Sequence, residues 1–366
     1  MKICHLTSVH PRYDTRIFYK ECVSLARANN EVILIVADDL GDEQKDGVSI
    51  LDVGKLPGRI NRVLKTTRKV FLQAKSLNAD IYHIHDPELL PAGVKLRALG
   101  RRVIFDAHED VPKQILGKPY LNRFSKLVLS FLVKLYESWA CSRMSAVIAA
   151  TPYIRDKFLK VNPCVVDINN FPMVDELAVG EVDWSKKADE VCYVGGIAEI
   201  RGVSEIVQAM EHVEGKTKLM LGGKFTSEEY ESKVSSYPGW QRTAPLGFLS
   251  RAQVKDTLYR SRAGLVTLHP AVNYLDALPV KMFEYMAAGI PVIASNFPLW
   301  QQIVQDADCG ICVDPLKPKE IASAISQLAN DSKRAAEMGL NGRKAVFAKY
   351  NWSVEERKLL DFYAML

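Results

Sequence analysis

Three short stretches of this chain hold side chains whose types and spacing can do chemistry. In Asp276-Ala-Leu278-Pro-Val280-Lys281-Met-Phe-Glu284, two acids stand either side of a proline. Pro279 suits the start of a helix, where its missing N–H costs nothing. Gly289-Ile-Pro291 then ends that helix and opens a strand. The amides of Val280–Phe283 have no intrahelical partner, which makes them a natural seat for a phosphate. Lys281 adds a point charge at the same place. Glu284, one turn inside, can accept two hydrogen bonds from a vicinal diol such as a nucleotide ribose, and Asp276 can reach hydroxyls of a group attached to the phosphate. In Tyr193-Val-Gly195-Gly196-Ile-Ala-Glu-Ile-Arg201-Gly202 the glycines let backbone approach a ligand at a strand end, and Arg201 stands at the start of the next helix. Asp106-Ala-His108-Glu109 follows the apolar run Val103-Ile-Phe105. That places His108 at the carboxyl end of a strand, with a histidine bonded to Asp106 or Glu109 as the structural reading.

Other polar clusters are weaker signals. His83 and His85 share one side of a strand, before Asp86. Zinc ligation there lacks a third ligand in the sequence, so His85 is read at the edge of a cleft and no metal is expected. The loop His10-Pro-Arg-Tyr-Asp14-Thr-Arg16 leads into a helix, where Asp14 or Arg16 can orient an acceptor or a phosphate, and Asp14 can equally be a cap. Cys309-Gly-Ile-Cys312 crosses a turn into a strand without a second pair and reads as structural. Asp38-Asp39 and the turn Leu40–Glu43 read as solvated loop.

These stretches need a frame to position them. Of the 366 residues 48% are apolar and 25% charged, which suits a folded protein of about two domains and no extensive disorder. Short apolar runs at Lys2–Leu6, Glu31–Ala37, Val48–Asp52, Asp80–His85, Arg102–Ala107, Ser145–Ala149 and Val165–Ile168 alternate with amphipathic stretches such as Arg16–Arg27. The pattern breaks at Asn169–Met173, passes an acidic stretch (Asp175–Asp189), and restarts at Val191–Val194, Lys218–Leu221, Gly264–Leu268, Pro291–Ala294 and Gly310–Val313. Strands separated by helices imply doubly wound parallel sheets, with ligands at the carboxyl ends of the strands. The expected domains are 1–170, 171–350, and a terminal helix in 351–366 that packs back on the first.

Seven scattered cysteines, an odd number, fit a reducing, cytoplasmic setting. The net charge of +5 divides into +8 for residues 1–170 and −3 for the remainder, so an anionic surface or ligand is expected at the first domain. No nucleic-acid module is legible. Basic residues interleave with apolar ones at Arg59–Leu72 and Lys113–Lys134, which makes an anionic membrane surface a candidate partner, at the inner face of the membrane; an ordinary helix with core and solvent faces is the alternative.

The acid pair with its small-residue turn and Pro-Val strand resembles the signature of the family 4, group 1 type, glycosyltransferases. The resemblance implies the GT-B fold: two Rossmann-like domains facing across a cleft, with the C-terminal helix crossing back to the first. It implies a retaining, metal-independent hexosyltransferase that uses a UDP- or GDP-linked sugar as co-substrate, with no cofactor. The acceptor hydroxyl then belongs to a glycan or lipid-linked intermediate of surface polysaccharide synthesis. By this likeness Glu284 holds the ribose, Asp276 (where the family usually has Glu) and His108 meet the donor sugar, and His108 becomes the leading catalytic candidate. Leu278, Val280, Gly195 and Gly196 fall among the donor-binding residues, Arg201 neutralises the diphosphate, and Phe248 stands where the family meets the nucleobase. Gly196 occupies the place of a family Arg, and Lys281 is the expected substitute. Asp14, Arg16 and His85 fall on the acceptor side. Two alternatives stay open: a sugar-nucleotide 2-epimerase, and a non-catalytic nucleotide-sugar-binding subunit.

Overall fold

A computed structural model of the chain describes residues 1–118, 121–174, 180 and 182–366. Of the acidic stretch read at Asp175–Asp189, positions 175–179 and 181 lie outside the described residues. The first compact unit comprises Met1–Asn170 with Ser353–Leu366, and the second Phe171–Trp352.

The sheet of the first unit is built from β1 (Lys2–Leu6), β2 (Glu31–Val36), β3 (Glu43–Lys45), β4 (Val48–Asp52), β5 (Ile81–Ile84), β6 (Arg102–Ala107), β7 (Ala146–Ala149) and β8 (Val165–Asp167). Its order is β3-β4-β2-β1-β5-β6-β7-β8, parallel throughout except for the β3–β4 hairpin. The inner strands β2, β1, β5, β6 and β7 are apolar and buried along nearly their whole length, five positions of six in β2. Helices therefore cover both faces. The terminal helix Trp352–Met365 is secured within this unit: Glu355 accepts the Asn169 backbone N–H at 2.7 Å, and the Tyr363 hydroxyl lies 2.7 Å from His83 Nδ1.

Two features depart from the reading of the sequence. Glu43–Lys45, taken with its neighbours as solvated loop, pairs with β4 through Asp46-Gly47, both at positive φ. Such a two-residue turn matches the twist of a hairpin and favours Asp-Gly. Over Thr15–Cys22 the expected helix is wound as a π-helix and becomes α-helical only at Val23–Arg27. Wide turns of this kind re-aim side chains and recur at functional sites.

The second sheet comprises β9 (Glu190–Val194), β10 (Lys218–Gly222), β11 (Thr243–Gly247), β12 (Ala263–Val266), β13 (Val292–Ser295) and β14 (Gly310–Val313). They lie in the order β11-β10-β9-β12-β13-β14, every pair parallel. β11, absent from the strands expected from the sequence, carries Pro245 and sits at the sheet edge, where a missing N–H is tolerated.

The helix Val280–Ala287 lies on this sheet through Met282, Phe283, Tyr285 and Met286, all buried. Phe283 packs against Phe171 and Tyr350, and the Tyr285 ring lies directly over Gly264 of β12. A Cβ at Gly264 would overlap that ring. The Tyr285 hydroxyl accepts the Val194 backbone N–H at 3.0 Å, which ties the helix to the end of β9. Gly264→Ala is expected to cost about 3 kcal/mol by overpacking. Gly215→Ala, with no neighbour inside 4 Å but a positive φ, should cost about 1 kcal/mol. Denaturant melts of the two variants compare them directly.

Candidate functional site

The most consequential group in the second unit is the Lys281 ammonium. It sits in the first turn of the Val280–Ala287 helix, only 9% exposed, and its Nζ has no hydrogen-bond partner. It rests 3.8 Å from the centroid of the Tyr193 ring. A Cβ built on Gly195, whose φ is +140°, would lie 2.7 Å from Nζ, so the amine lies directly under the glycine turn. Burial, then the positive charge of Arg201, pull its pKa down from 10.5 to about 7. Arg201 ends the one-turn helix Glu199–Arg201, and Gly202 then takes the left-handed conformation that starts the helix Val203–Met210. The Tyr193 hydroxyl donates to the Gly196 carbonyl at 2.7 Å and braces the turn. Two cations, a glycine turn and a helix N-terminus therefore meet at the carboxyl ends of β9 and β12. Such an arrangement suits a multiply charged anion, because the Lys281 amine is held out of water and Arg201 and the helix N-terminus add positive potential beside it.

The acids flank this group. Asp276 lies in the loop between β12 and the helix, half-buried with Leu278. That loop is pinned by Trp300, fully buried, whose indole N–H donates to the Ala277 carbonyl at 2.7 Å. Val280, also half-buried, opens the helix after Pro279. Glu284 is one turn in, where its Oε1 accepts from Arg251 at 2.9 Å. Phe248 follows β11, largely exposed, with the Lys224 ammonium 5.5 Å from its ring centroid. The structure thus brings Gly195, Gly196, Arg201 and Lys281 together. It adds Tyr193, Trp300 and Arg251, which the reading of the sequence missed. Tyr193 stands beside the glycines and was legible as a neighbour, whereas Trp300 and Arg251 are recruited from distant helices.

In the first unit, Asp106 is the hub. Its buried carboxylate takes a two-pronged contact from Arg16 (Nε at 2.9 Å, Nη2 at 2.8 Å) and meets His108 Nε2 at 2.8 Å and His85 Nδ1 at 3.3 Å. Burial alone would raise the pKa of Asp106. Arg16 and His108 outweigh it and hold the group well below the carboxylate range. An ionised Asp106 fixes the proton of His108 on Nε2 and leaves Nδ1 as the acceptor of the neutral ring. His108 is therefore bonded to Asp106, as the structural reading had it, and still partly exposed. Asp106 thus orients a ring that can meet a ligand.

The acceptor-side expectations need correction. Arg16 is 4% exposed and spends its donors on Asp106 and the Ile168 carbonyl, with Glu21 3.1 Å away, so it is a buried structural cation. For Asp14 the structure shows the cap, the second of its two readings: it accepts the backbone N–H groups of Arg16 and Ile17 and pairs with His10. His85 is interior rather than at an edge: it is 1% exposed, and burial pulls its pKa down to about 4. The β1–β5 register sets His5 beside His83, and His5 Nδ1 lies 2.9 Å from His85 Nε2.

Among the described residues two sets, His5/Glu21/His83/His85 and His85/Asp106/His108, hold ligand-type atoms within 4.8 Å of one another. Tertiary folding thus supplies the third ligand the sequence lacked. In the first set, however, Arg16 already stands against Glu21, and His5 bonds directly to His85. Burial and the nearby Asp106 also raise Glu21 well above its usual range. Both Glu21 carboxyl oxygens, His5 Nε2 and His83 Nε2 have no hydrogen-bond partner, so the four side chains form a buried and incompletely satisfied polar cluster. Beside it, a cavity of about 440 Å³ at the carboxyl ends of β1 and β2 is lined by Ser8, His10, Asp38, Lys55, Arg59 and Arg62 among others. His10 sits there between Asp14 and Asp86; burial opposes its protonation, but the two acids raise its pKa overall.

Comparison with known proteins follows the same two-unit division. Residues 176–345 match the family model "Glycosyl transferases group 1", and residues 16–168 match "Glycosyltransferase Family 4". An uncharacterized glycosyltransferase of Methanocaldococcus jannaschii is 24% identical over 308 residues, covering 78% of this chain and 75% of that one. A GDP-mannose-dependent alpha-(1-6)-phosphatidylinositol monomannoside mannosyltransferase of Mycobacterium tuberculosis is 36% identical over 88 residues, 24% of this chain and 23% of that protein. In fold, sucrose-phosphate synthase from Thermosynechococcus elongatus superposes with a TM-score of 0.79 at 17% identity, over 100% of this chain and 98% of the other. Anabaena HepE in complex with UDP gives 0.77 at 14% identity, with both chains fully covered. These likenesses establish two parallel-sheet α/β domains of the GT-B type.

Lys281 makes the site measurable without any ligand. Its folded pKa lies below its unfolded one, so the unfolded chain binds more protons between pH 7 and about 10. The penalty for burying the charged amine is thus complete below pH 7 and fades as the pH rises. Lys281→Met should raise the melting temperature of the empty protein, and by more at pH 6 than at pH 9. An equal shift at both would place the amine's charge in water.

Proposed function

We propose, for a chain that belongs to the family 4, group 1 glycosyltransferases, that it moves a hexose from a nucleotide-diphosphate sugar, UDP- or GDP-linked, to a hydroxyl of a glycan or lipid-linked acceptor in surface polysaccharide synthesis. One observation carries this reading: a desolvated, hydrogen-bond-free ammonium beneath a glycine turn, beside a second cation and a helix N-terminus. Holding Lys281 there costs stability in the empty protein. A diphosphate returns that cost by pairing with it. The relatives add support, since HepE was crystallised with UDP and with UDP-glucose.

In this reading Lys281, Arg201 and the amides at Val280–Phe283 neutralise the charge that grows on the departing diphosphate. Preorganised electrostatics of this kind usually contributes more to catalysis than any other single effect. Glu284, oriented by Arg251, accepts from the ribose hydroxyls. Asp276 accepts from the sugar, and Phe248 meets the base. His108 Nδ1 accepts from a sugar hydroxyl while Asp106 holds the opposite ring nitrogen. The acceptor oxygen forms its bond to the anomeric carbon on the face the diphosphate leaves, which gives retention. Its proton passes to the departing phosphate oxygen, so no nucleophile from the chain is required. Neutralisation by these side chains is expected to leave turnover intact in EDTA.

Gly196 offers a direct test, because a side chain there meets nothing within 4 Å. Arg201→Met and Lys281→Met should each weaken nucleotide-diphosphate binding at least tenfold by calorimetry, and Gly196→Arg should restore part of the loss in the Lys281→Met background. Undiminished binding in both single variants would overturn the assignment. His108→Ala should lower kcat at least a hundredfold with nucleotide-diphosphate affinity kept, since the ring is assigned to the sugar; a loss of affinity alone would count against that role.

A further inference from the structure

The helix Arg123–Cys141 is built inside out. Its core-facing residues are Ser130, Glu137, Ala140 and Cys141. Ser130 donates to the Pro112 carbonyl at 2.9 Å, and Glu137 is paired with Lys157 at 2.6 Å. The large apolar side chains face away from the protein: Phe124 is 77% exposed, Leu127 63%, Phe131 59% and Leu135 52%. Spaced by three or four residues, they form one stripe, widened by Val128 and Leu132. The ordinary reading of an amphipathic helix, apolar face inward, is reversed here. Scattered exposed apolar residues need no explanation, but a continuous stripe of this size marks a docking surface.

Charge selects what docks. The exposed Arg123 and Lys134 border the stripe on one side, and Glu137, the one acid on the helix, is buried and paired. A hollow of about 510 Å³ beside the helix is lined by Leu129, Val133, Ile115 and Arg59, which joins the helix to the neighbouring Arg59–Asn61 turn. Ile60 and Leu64 are exposed there, beside the exposed Arg59 and Lys65. A second copy of this chain, packed two-fold on the same face, would set these cations against themselves. An anionic bilayer matches both halves of the pattern, with lipid phosphates at the Lys and Arg heads and acyl chains under the apolar stripe. No helix among the described residues is long and apolar enough to cross a membrane.

We infer that the Arg123–Cys141 helix, with the Arg59–Lys65 segment, is a surface-lying anchor that docks the first unit on an anionic lipid bilayer. The face makes the lipid interface the place of acceptor capture, and it deepens the lipid-linked acceptor of the proposed function without resting on the donor site.

Cosedimentation of the full chain with vesicles tests it. Vesicles of phosphatidylglycerol and phosphatidylcholine should pull down most of the protein at low salt, and phosphatidylcholine alone at least fivefold less. Leu127→Glu with Phe131→Glu should reduce binding to the anionic vesicles at least tenfold, with the melting temperature and nucleotide-diphosphate affinity unchanged. Arg123→Glu with Lys134→Glu should lose only the preference for anionic lipid. Equal sedimentation of the parent and the Leu127→Glu/Phe131→Glu protein would overturn the inference. So would a concentration-dependent dimer in size-exclusion with light scattering that those two substitutions dissolve. Loss of nucleotide-diphosphate binding with vesicle binding intact would refute the donor site and leave this face standing.

Discussion

A positive charge kept out of water organises the second unit. Lys281 occupies a pocket whose floor is the Tyr193 ring and whose roof is the Gly195 turn, and neither offers it a hydrogen bond. Several other features exist to make that placement possible. Gly195 must be glycine because its φ is left-handed and because a side chain would strike the amine. Tyr193 supplies the ring below and a hydroxyl that braces Gly196. Tyr285 locks the helix that bears Lys281 to the end of β9, and Gly264 leaves the room for its ring. A local strain of this kind persists only where the surrounding packing over-determines it.

The first unit gathers many buried polar groups around one carboxylate. Asp106 is shared by Arg16, His85 and His108, and every contact to it is charge-assisted. The π-helical winding of Thr15–Cys22 bears on this, since both Arg16 and Glu21 project from it toward the same hub. Removing Arg16 would leave the buried Asp106 charge without its main counterpart, which is the expensive way to disturb such a network. The result is a rigid interior with His108 at its solvent end. Nearby, His10 occupies a comparable place between two acids.

Much of the architecture was legible from local pattern. Strands such as Lys2–Leu6, Glu31–Val36 and Arg102–Ala107 show as apolar runs, because strands covered on both faces need apolar residues at successive positions. The two that escaped notice, Glu43–Lys45 and Thr243–Gly247, lie at or beside sheet edges, where one face is wet and the apolar signal fades. Pro279 and Gly289 marked the bounds of the Val280–Ala287 helix through backbone chemistry that acts over a few residues.

By itself the sequence determined the alternation of strands and helices, the glycine turn, and the acid pair around Pro279, since each depends on neighbours within about one or two helical turns. Tertiary structure alone decided that His5 and Glu21 join His83 and His85, that Arg16 and His85 are interior, and that Lys281 lies under Gly195. It alone turned the apolar stripe of Arg123–Cys141 outward. Periodicity shows that a helix has two faces, whereas which face is buried depends on what the rest of the chain packs against it. Long-range packing fixes how much water each charge keeps, and a charge's water decides what it can do.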